Sequence, residues 1–173
     1  MPHYIVNRVR IISFSLVLLG SLAAAPAYAQ QTPIKPVATF GDWAKACETG
    51  ENGQQECFAF QNVTTKDGSR GILHLTVIKI PQATRPIMVI TVPLGIFLPR
   101  GLSMSIDGAK PARIPVQVCS TNGCQSQFEM PEELLGSFRA GLEGTVTMFD
   151  PSGKDVKVPF SLKGFTKALG SLG

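Results

Sequence analysis

Gly71-Ile-Leu-His-Leu-Thr-Val-Ile-Lys-Ile80 is the stretch of this sequence that decides its fold. It is rich in β-branched residues and apolar at both odd and even positions, which predicts a central strand with little exposure on either face. Pro81 and Pro86 bound the following loop, and Ile87-Met-Val-Ile-Thr-Val92 repeats the same pattern. Two such neighbouring segments indicate an antiparallel sheet at the centre of the domain.

Shorter strands extend outward from this centre in both directions. We predict them at residues 40–47, 57–64, 102–106, 113–119, 124–130, 145–149 and 155–160. Turn signals such as Asp107-Gly108 separate them. One helix is predicted from Pro131 to Gly141 and a second, short helix within residues 162–172. Many short strands with two brief helices predict an all-β fold, and a sandwich is favoured over a barrel.

Four cysteines lie among these strands, at Cys47, Cys57, Cys119 and Cys124. Three pairings are compatible with the sequence, and local pairing is the most economical. Cys119 and Cys124 flank a turn that contains Asn122-Gly123, so they would face one another across a hairpin. Cys47 and Cys57 flank a polar turn in the same way. We therefore expect two disulfides, each of which joins the strands of one hairpin.

The N-terminal segment has the three parts of a secretory signal peptide. Arg8 and Arg10 precede an apolar run over residues 11–22, and Ala27-Tyr28-Ala29 offers small residues for cleavage before Gln30. We predict a signal peptide over residues 1–29, an extended linker over 30–39 and one domain over 40–173. Oxidised cysteines fit export. The expected location is the periplasm, with secretion or outer-membrane association as alternatives, and no transmembrane segment is expected in the mature chain.

Charge argues against nucleic acid as a partner. The chain has 16 basic and 12 acidic residues, and loss of Arg8 and Arg10 lowers its net charge from +4 to +2. The remaining lysines and arginines are scattered singly rather than clustered. A mildly basic, solvated surface explains this pattern better than a groove that tracks phosphates.

No catalytic, metal or cofactor site can be identified in the sequence. A Ser-His-Asp arrangement would need His74, the only histidine outside the predicted signal peptide, and it lies on the buried-looking strand. The G-x-S-x-G motif and the phosphate-binding glycine motifs are absent. Carboxylates such as Asp42, Glu129 and Asp155 lie near turns or helix starts, where solvation or capping explains them. We expect a protein that is not an enzyme and needs no metal and no cofactor.

The segment over residues 92–101 is the best local candidate for binding a partner. Pro93, Gly95 and Pro99 interrupt it, yet several of its residues are apolar. It is either a bent strand that covers the core or an exposed apolar lip. In the second case Phe97 and Arg100 would contact a partner, with Arg100 at the rim.

Several blocks of this sequence, in order, resemble the invasion-associated locus B family of exported alphaproteobacterial proteins. The blocks are Phe40-Gly41-Asp42-Trp43 with Cys47 and Cys57, then Val92-Pro93-Leu94-Gly95-Ile96-Phe97-Leu98-Pro99 with Gly101-Leu102 and Ile106-Asp107, then Cys119 with Gly123-Cys124, and finally Pro159-Phe160-Ser161-Leu162-Lys163-Gly164-Phe165 with Ala168-Leu169. The resemblance implies an immunoglobulin-like β-sandwich, and an association with host-cell invasion in some members. It transfers no catalytic residues.

These observations predict an exported, non-enzymatic β-sandwich that binds an envelope or host protein, or another envelope component. The alternatives are a periplasmic hydrolase acting on glycan or peptide, and a carrier with a small ligand in the sandwich interior. Facing carboxylates or a serine beside His74 would favour the hydrolase.

Overall fold

A computed structural model of the chain describes residues 34–50 and 53–173. Its described residues form eleven strands, one 3-10 helix and two α-helices. The strands are β1 (Ala38–Phe40), β2 (Trp43–Thr49), β3 (Gln55–Thr64), β4 (Gly71–Ile78), β5 (Ile87–Val92), β6 (Leu102–Ile106), β7 (Ala112–Ile114), β8 (Val118–Ser120), β9 (Gly123–Glu129), β10 (Glu143–Phe149) and β11 (Asp155–Ser161). The 3-10 helix is Leu98–Arg100, and the α-helices are α1 (Glu132–Ala140) and α2 (Phe165–Gly170).

The strands form two antiparallel sheets. The larger sheet has seven strands in the order β1-β2-β3-β4-β5-β9-β8, and the smaller sheet has four in the order β11-β10-β6-β7. The chain therefore runs as a meander from β1 to β5 and then crosses to the smaller sheet through residues 93–101, which we call the crossover segment. Two packed antiparallel sheets confirm the predicted all-β, immunoglobulin-like sandwich.

The hydrophobic core fills the space between the sheets. On β4 the alternate residues Leu73, Leu75 and Val77 are buried, and Val146 and Met148 of β10 belong to the same cluster. This alternation follows from the period of two in a strand. Phe138 of α1 and Phe165 of α2 also belong to the cluster, and their rings meet edge to face at 5.0 Å. The two helices therefore contribute to the same core as the sheets.

Two predicted strands are each divided in the structure. The segment 40–47 contains a turn at Gly41, whose φ is +64°, so that Phe40 ends β1 and Trp43 begins β2. The segment 113–119 contains Pro115, which has no N–H to donate to a ladder. The chain changes sheets here, because β7 pairs with β6 whereas β8 pairs with β9.

Other predicted boundaries differ by a few residues. Strand β1 begins at Ala38, inside the predicted linker over residues 30–39, because it pairs with β2. The second helix covers only Phe165–Gly170, since Gly164 has a φ of +95° and lies outside the helix. The predicted signal peptide, with its cleavage site between Ala29 and Gln30, lies outside the described residues. Among the residues that are described, no helix is long and apolar enough to span a membrane.

Both disulfides join residues that are directly opposite one another on neighbouring strands. The first disulfide, Cys47–Cys57, links β2 to β3, and the second, Cys119–Cys124, links β8 to β9. The Cα atoms are 4.0 Å apart in each pair. The structure thus has the local pairing that the sequence favoured, and each bond closes one hairpin.

Candidate functional site

His74 is held by its neighbours on the larger sheet. Its Nδ1 contacts Asn62 Oδ1 on β3, and its Nε2 lies 2.8 Å from Thr76 Oγ1. Burial lowers the pKa of the imidazole below its usual value, because desolvation penalises the charged form. Both ring nitrogens have polar partners, neither of which is a serine or a carboxylate. This geometry gives a neutral structural histidine rather than the base of a Ser-His-Asp arrangement.

Four of the carboxylates near turns or helix starts have partners within the chain. Three of them form ion pairs with arginines: Glu129 with Arg85 at 3.3 Å, Glu132 with Arg139 at 3.7 Å and Asp155 with Arg100 at 3.8 Å. Asp150 Oδ1 accepts hydrogen bonds from the Ser152 hydroxyl and from the backbone N–H groups of Lys154 and Ser152, which lower the pKa of this carboxyl. Within residues 34–50 and 53–173, no three His, Cys, Asp or Glu residues are grouped in a way that could hold a metal ion.

The crossover segment presents apolar side chains to solvent. Leu94 is 56% exposed, Leu98 48% and Phe97 37%. Its backbone is anchored to the smaller sheet, because the Phe97 N–H donates to the carbonyl of Phe149 at 2.8 Å. The segment is not a bent strand, since it forms a 3-10 helix at Leu98–Arg100. It is the exposed apolar lip of the second alternative, in which Leu94 and Leu98 are exposed and the backbone is hydrogen-bonded to the smaller sheet.

Arg100 fastens this lip to the neighbouring hairpin. Its guanidinium lies 3.7 Å from the centre of the Phe149 ring, and Nη1 donates to the Gly153 carbonyl at 2.8 Å. The Asp155 carboxylate is 3.8 Å away. Arg113 holds the other side by donating to the carbonyls of Pro99 and Arg100. Arg100 is therefore directed to the β10–β11 turn, and the exposed contacts come from Leu94, Phe97 and Leu98.

The outer face of the larger sheet is a second candidate surface, which the sequence analysis did not identify. We use this name for the side chains of β2 to β5 and β9 that point away from the smaller sheet. One cross-strand row consists of Ala46, Phe58, Ile78 and Ile87, and the next of Ala44, Phe60, Thr76 and Val89. The sequence signal for it was the apolar character of both faces of β4 and β5, together with the apolar run over residues 57–60 of β3, which alternation on one buried face does not explain.

A groove of about 440 Å³ lies beside the edge strand β7. Apolar residues from four elements line it, among them Met104, Ile114, Phe128 and Leu134. Its rim carries charges of both signs, including Arg113 and Glu133. The groove lies where β6 and β7 of the smaller sheet, β9 of the larger sheet and α1 come together.

The first and last of the sequence blocks that resemble the family lie in contact with one another. We call this region, which consists of residues 40–43, Gln61 and residues 161–165, the terminal contact. Trp43 is fully buried, its ring packs edge to face on Phe165 at 5.0 Å, and its Nε1 donates to the Ser161 carbonyl at 2.9 Å. Gln61 Nε2 donates to the carbonyls of Asp42 and Ser161, and Oε1 accepts from the Ser161 N–H. Trp43 is thus a core residue and not a partner anchor.

Two glycines allow the backbones of the terminal contact to approach. A Cβ on Gly164 would lie 1.5 Å from the Phe40 carbonyl oxygen, and one on Gly41 would lie 2.7 Å from the Lys163 carbonyl oxygen. The Asp42 N–H donates to that same Lys163 oxygen at 3.0 Å. Both glycines also have positive φ, which favours glycine. These blocks therefore join the first strands to the end of the chain.

Known proteins are similar to this chain in sequence and in fold. A family model described as Invasion associated locus B (IalB) protein matches residues 43–173. Invasion protein B homologs from two strains of Brucella abortus are each 23% identical over 160 residues, which cover 91% of this chain and 91% of theirs. The crystal structure of invasion associated protein B from Bartonella henselae matches with a TM-score of 0.67 and 22% identity, covering 78% of this chain and 92% of that chain.

The structural match shows that the two proteins have the same fold. The family match extends from the first residue of β2 through α2 and therefore includes ten of the eleven strands described and both helices. It also includes both disulfides and most of the terminal contact. On this evidence the chain belongs to the Invasion associated locus B family.

Proposed function

We propose that this protein is exported to the periplasm and binds a protein partner or another envelope component, without catalysis, through the crossover segment. The observation that carries the proposal is the exposure of Leu94 and Leu98, which are 56% and 48% exposed on an anchored backbone. Apolar side chains that are exposed on a rigid support lose little conformational entropy on binding. Covering them with a partner removes apolar surface from water, which favours binding.

Export is supported by two independent features. The first 29 residues have the pattern of a cleavable signal peptide. The two disulfides together contain every cysteine of the described residues. Such bonds persist in oxidising compartments such as the periplasm. The family's name adds an association with invasion, which fits a role at the bacterial envelope or in contact with a host protein.

The non-enzymatic part of the proposal is supported by the partners of the polar side chains. His74 is hydrogen-bonded to Asn62 and Thr76, and four of the carboxylates near turns or helix starts accept hydrogen bonds or pair with arginines. A general base must be free to reach a substrate proton. These residues instead stabilise the structure around them.

Affinity capture from envelope fractions tests the proposal. We would compare the parent chain with a Leu94→Ser, Leu98→Ser double variant, while Leu142→Ser, which alters an 81% exposed leucine outside the crossover segment, is the matched control. Loss of two partly desolvated leucines costs about 2–3 kcal/mol of binding energy, which corresponds to roughly 30- to 150-fold weaker binding. Arg100 is left intact because its removal would release the lip itself.

The expected result is loss of the captured component with the double variant and full recovery with the control. Urea unfolding verifies that all three proteins are equally folded. A folded double variant that captures the same components in the same yield as the parent would refute the role of the crossover segment.

A further inference from the structure

The outer face of the larger sheet is unusually apolar for a surface that no other layer covers in the described part of the chain. An antiparallel sheet that packs on one side only is normally polar on the other. Here the two central rows, defined above, contain no charged residue on β2 to β5. Phe60 lies between the rings of Phe58 and His74, with both centroid distances 5.9 Å. Ala46, Phe60 and Ile87 are at most 8% exposed, and the other residues of the two rows are partly exposed, so a partner would meet a closely packed layer with an aromatic centre.

We propose that this face binds the same face of a second copy, so that the protein forms a symmetric dimer through its larger sheet. This surface differs from the crossover segment and meets it only at the Arg70 end, where Pro93 and Leu94 line the same hollow as Arg70. Three observations carry it: the size of the face, the position of its charges and the state of its polar groups.

The size matches what a stable dimer requires. The face extends over nine residues of β3, from Glu56 to Thr64, and across five strands from β2 to β9. With strand spacings of about 4.8 Å and a rise of about 3.4 Å per residue, it measures roughly 24 by 27 Å. Two such faces would bury roughly 1,300 Å², which lies within the range of about 1,200–2,000 Å² for specific interfaces.

Apart from Glu129, which continues the Phe58 row on β9 and pairs with Arg85, charge on the face is located at its two ends and has opposite sign there. Glu48 and Glu56 are directly opposite one another at one end, where like charges repel, and neither is paired with Lys or Arg among the described residues. Arg70 is at the other end, beside a hollow of about 360 Å³. It too forms no ion pair within the described chain. Each end therefore lacks a counter-charge that a second copy could supply.

The charges select one orientation of the two copies. A two-fold axis that runs across the strands and passes near Phe60 would place the Glu48–Glu56 end of one copy over the Arg70 end of the other. A two-fold axis along the strands would instead place the glutamates of both copies together. Only the first arrangement pairs opposite charges, and it pairs them twice because the interface is isologous.

A third cross-strand row on this face is polar and consists of Asn62, His74, Thr91 and Gln125. Its side chains are already hydrogen-bonded within the chain. His74 contacts Asn62 and Thr76, and Gln125 Nε2 donates to Thr91 Oγ1 at 3.3 Å. Groups that already have partners are less costly to cover than free ones. In the selected orientation this row faces the apolar row that contains Phe58 and Ile78, so the contact needs no further polar partner.

Sedimentation velocity and light scattering on the full chain, produced with its own N-terminal segment, test the proposal. Loadings should range from about 1 to 100 µM, since dimers of this interface size are populated there. The variants are Glu56→Arg, Arg70→Glu and the combination of both, with Lys157→Glu on β11 as a matched charge-reversal control. None of these positions is in the core, so the folded state of each variant is expected to persist.

We expect the parent chain and the Lys157→Glu control to dimerise with the same affinity. Each single reversal replaces two attractions by two repulsions and should weaken dimerisation roughly tenfold or more. The combined variant recreates opposite charges at both contacts and should recover affinity to within about threefold of the parent. A chain that is monomeric at all loadings, a dimer that none of the reversals affects, or a combined variant no stronger than the single ones would each overturn the proposal.

Discussion

Replacing Gly164 with alanine should be among the most destabilising single changes in this protein. Gly164 has a φ of +95°, a conformation that costs an alanine about 1–2 kcal/mol. In addition, its new Cβ would lie 1.5 Å from the carbonyl oxygen of Phe40. No side-chain rotation can relieve this overlap, because the backbone fixes the position of the Cβ and the oxygen is itself a backbone atom. The two segments must therefore separate.

The cost of that separation follows from the bonds that span it. The Asp42 N–H donates to the Lys163 carbonyl at 3.0 Å, and Trp43 Nε1 donates to the Ser161 carbonyl at 2.9 Å. Each such bond contributes about 1 kcal/mol net. Their loss, added to the backbone strain, predicts a decrease of about 3–5 kcal/mol in the free energy of unfolding. That is a large share of the roughly 5–15 kcal/mol of a typical domain.

The control variant Gly153→Ala separates the cost of the positive φ from the cost of the overlap between the Cβ and the carbonyl oxygen. Gly153 has a φ of +83°, but no atom lies within 4 Å of the position that its Cβ would take. Urea unfolding followed by tryptophan fluorescence should therefore show a loss of only about 1–2 kcal/mol for this control. Equal losses for Gly164→Ala and Gly153→Ala would refute the claim that the close approach, rather than backbone conformation, dominates at Gly164.

Two further predictions concern the disulfides and one exposed carboxylate. Replacing both cysteines of the first disulfide with alanine should lower the free energy of unfolding by about 2.7 kcal/mol, and the same change in the second by about 2.1 kcal/mol, because their sequence separations are 10 and 5; urea unfolding that gives the larger loss for the second would contradict this order. Hydrogen bonds from Thr65 and Ser69 lower the pKa of Asp67 to about 2, so its stabilising contribution should be complete above the ordinary value of 3.8 and should be lost as the pH falls through about 2. NMR titration should show the pKa of Asp67 rising towards 3.8 in Thr65→Ala, and an unchanged value would argue against the hydroxyl as the main cause.

The sequence predicted the elements whose ends are marked by strong local signals. Strand β5 follows Pro86 and precedes Pro93, and β6 begins after Gly101 and ends before Asp107-Gly108, so the predicted boundaries of both agree with the structure. Helix α1 was predicted from Pro131 and the acidic residues that follow it. In each case the decisive interactions lie within a few residues of one another.

The remaining features depend on contacts between distant residues, which local patterns do not encode. Nothing near Pro115 specifies that β7 joins the smaller sheet and β8 the larger one. The direction of Arg100 depends on Phe149 and Gly153, about fifty residues further along the chain. The apolar pattern of β4 showed that both its faces are shielded from water, but not that one of them would be an outer face without a covering layer.

The terminal contact also determines when the domain can fold as the chain is made. The Trp43 indole and the Ser161 carbonyl that accepts its hydrogen bond are 118 residues apart. At the usual rate of about 5–20 residues per second, synthesis of that interval takes roughly 6–24 seconds. During this time the tryptophan lacks Ser161 and Phe165, which line much of its site, so the core stays incomplete. Until Phe165 has been synthesised, a nascent chain of this kind stays unfolded enough to pass through a narrow translocation pore.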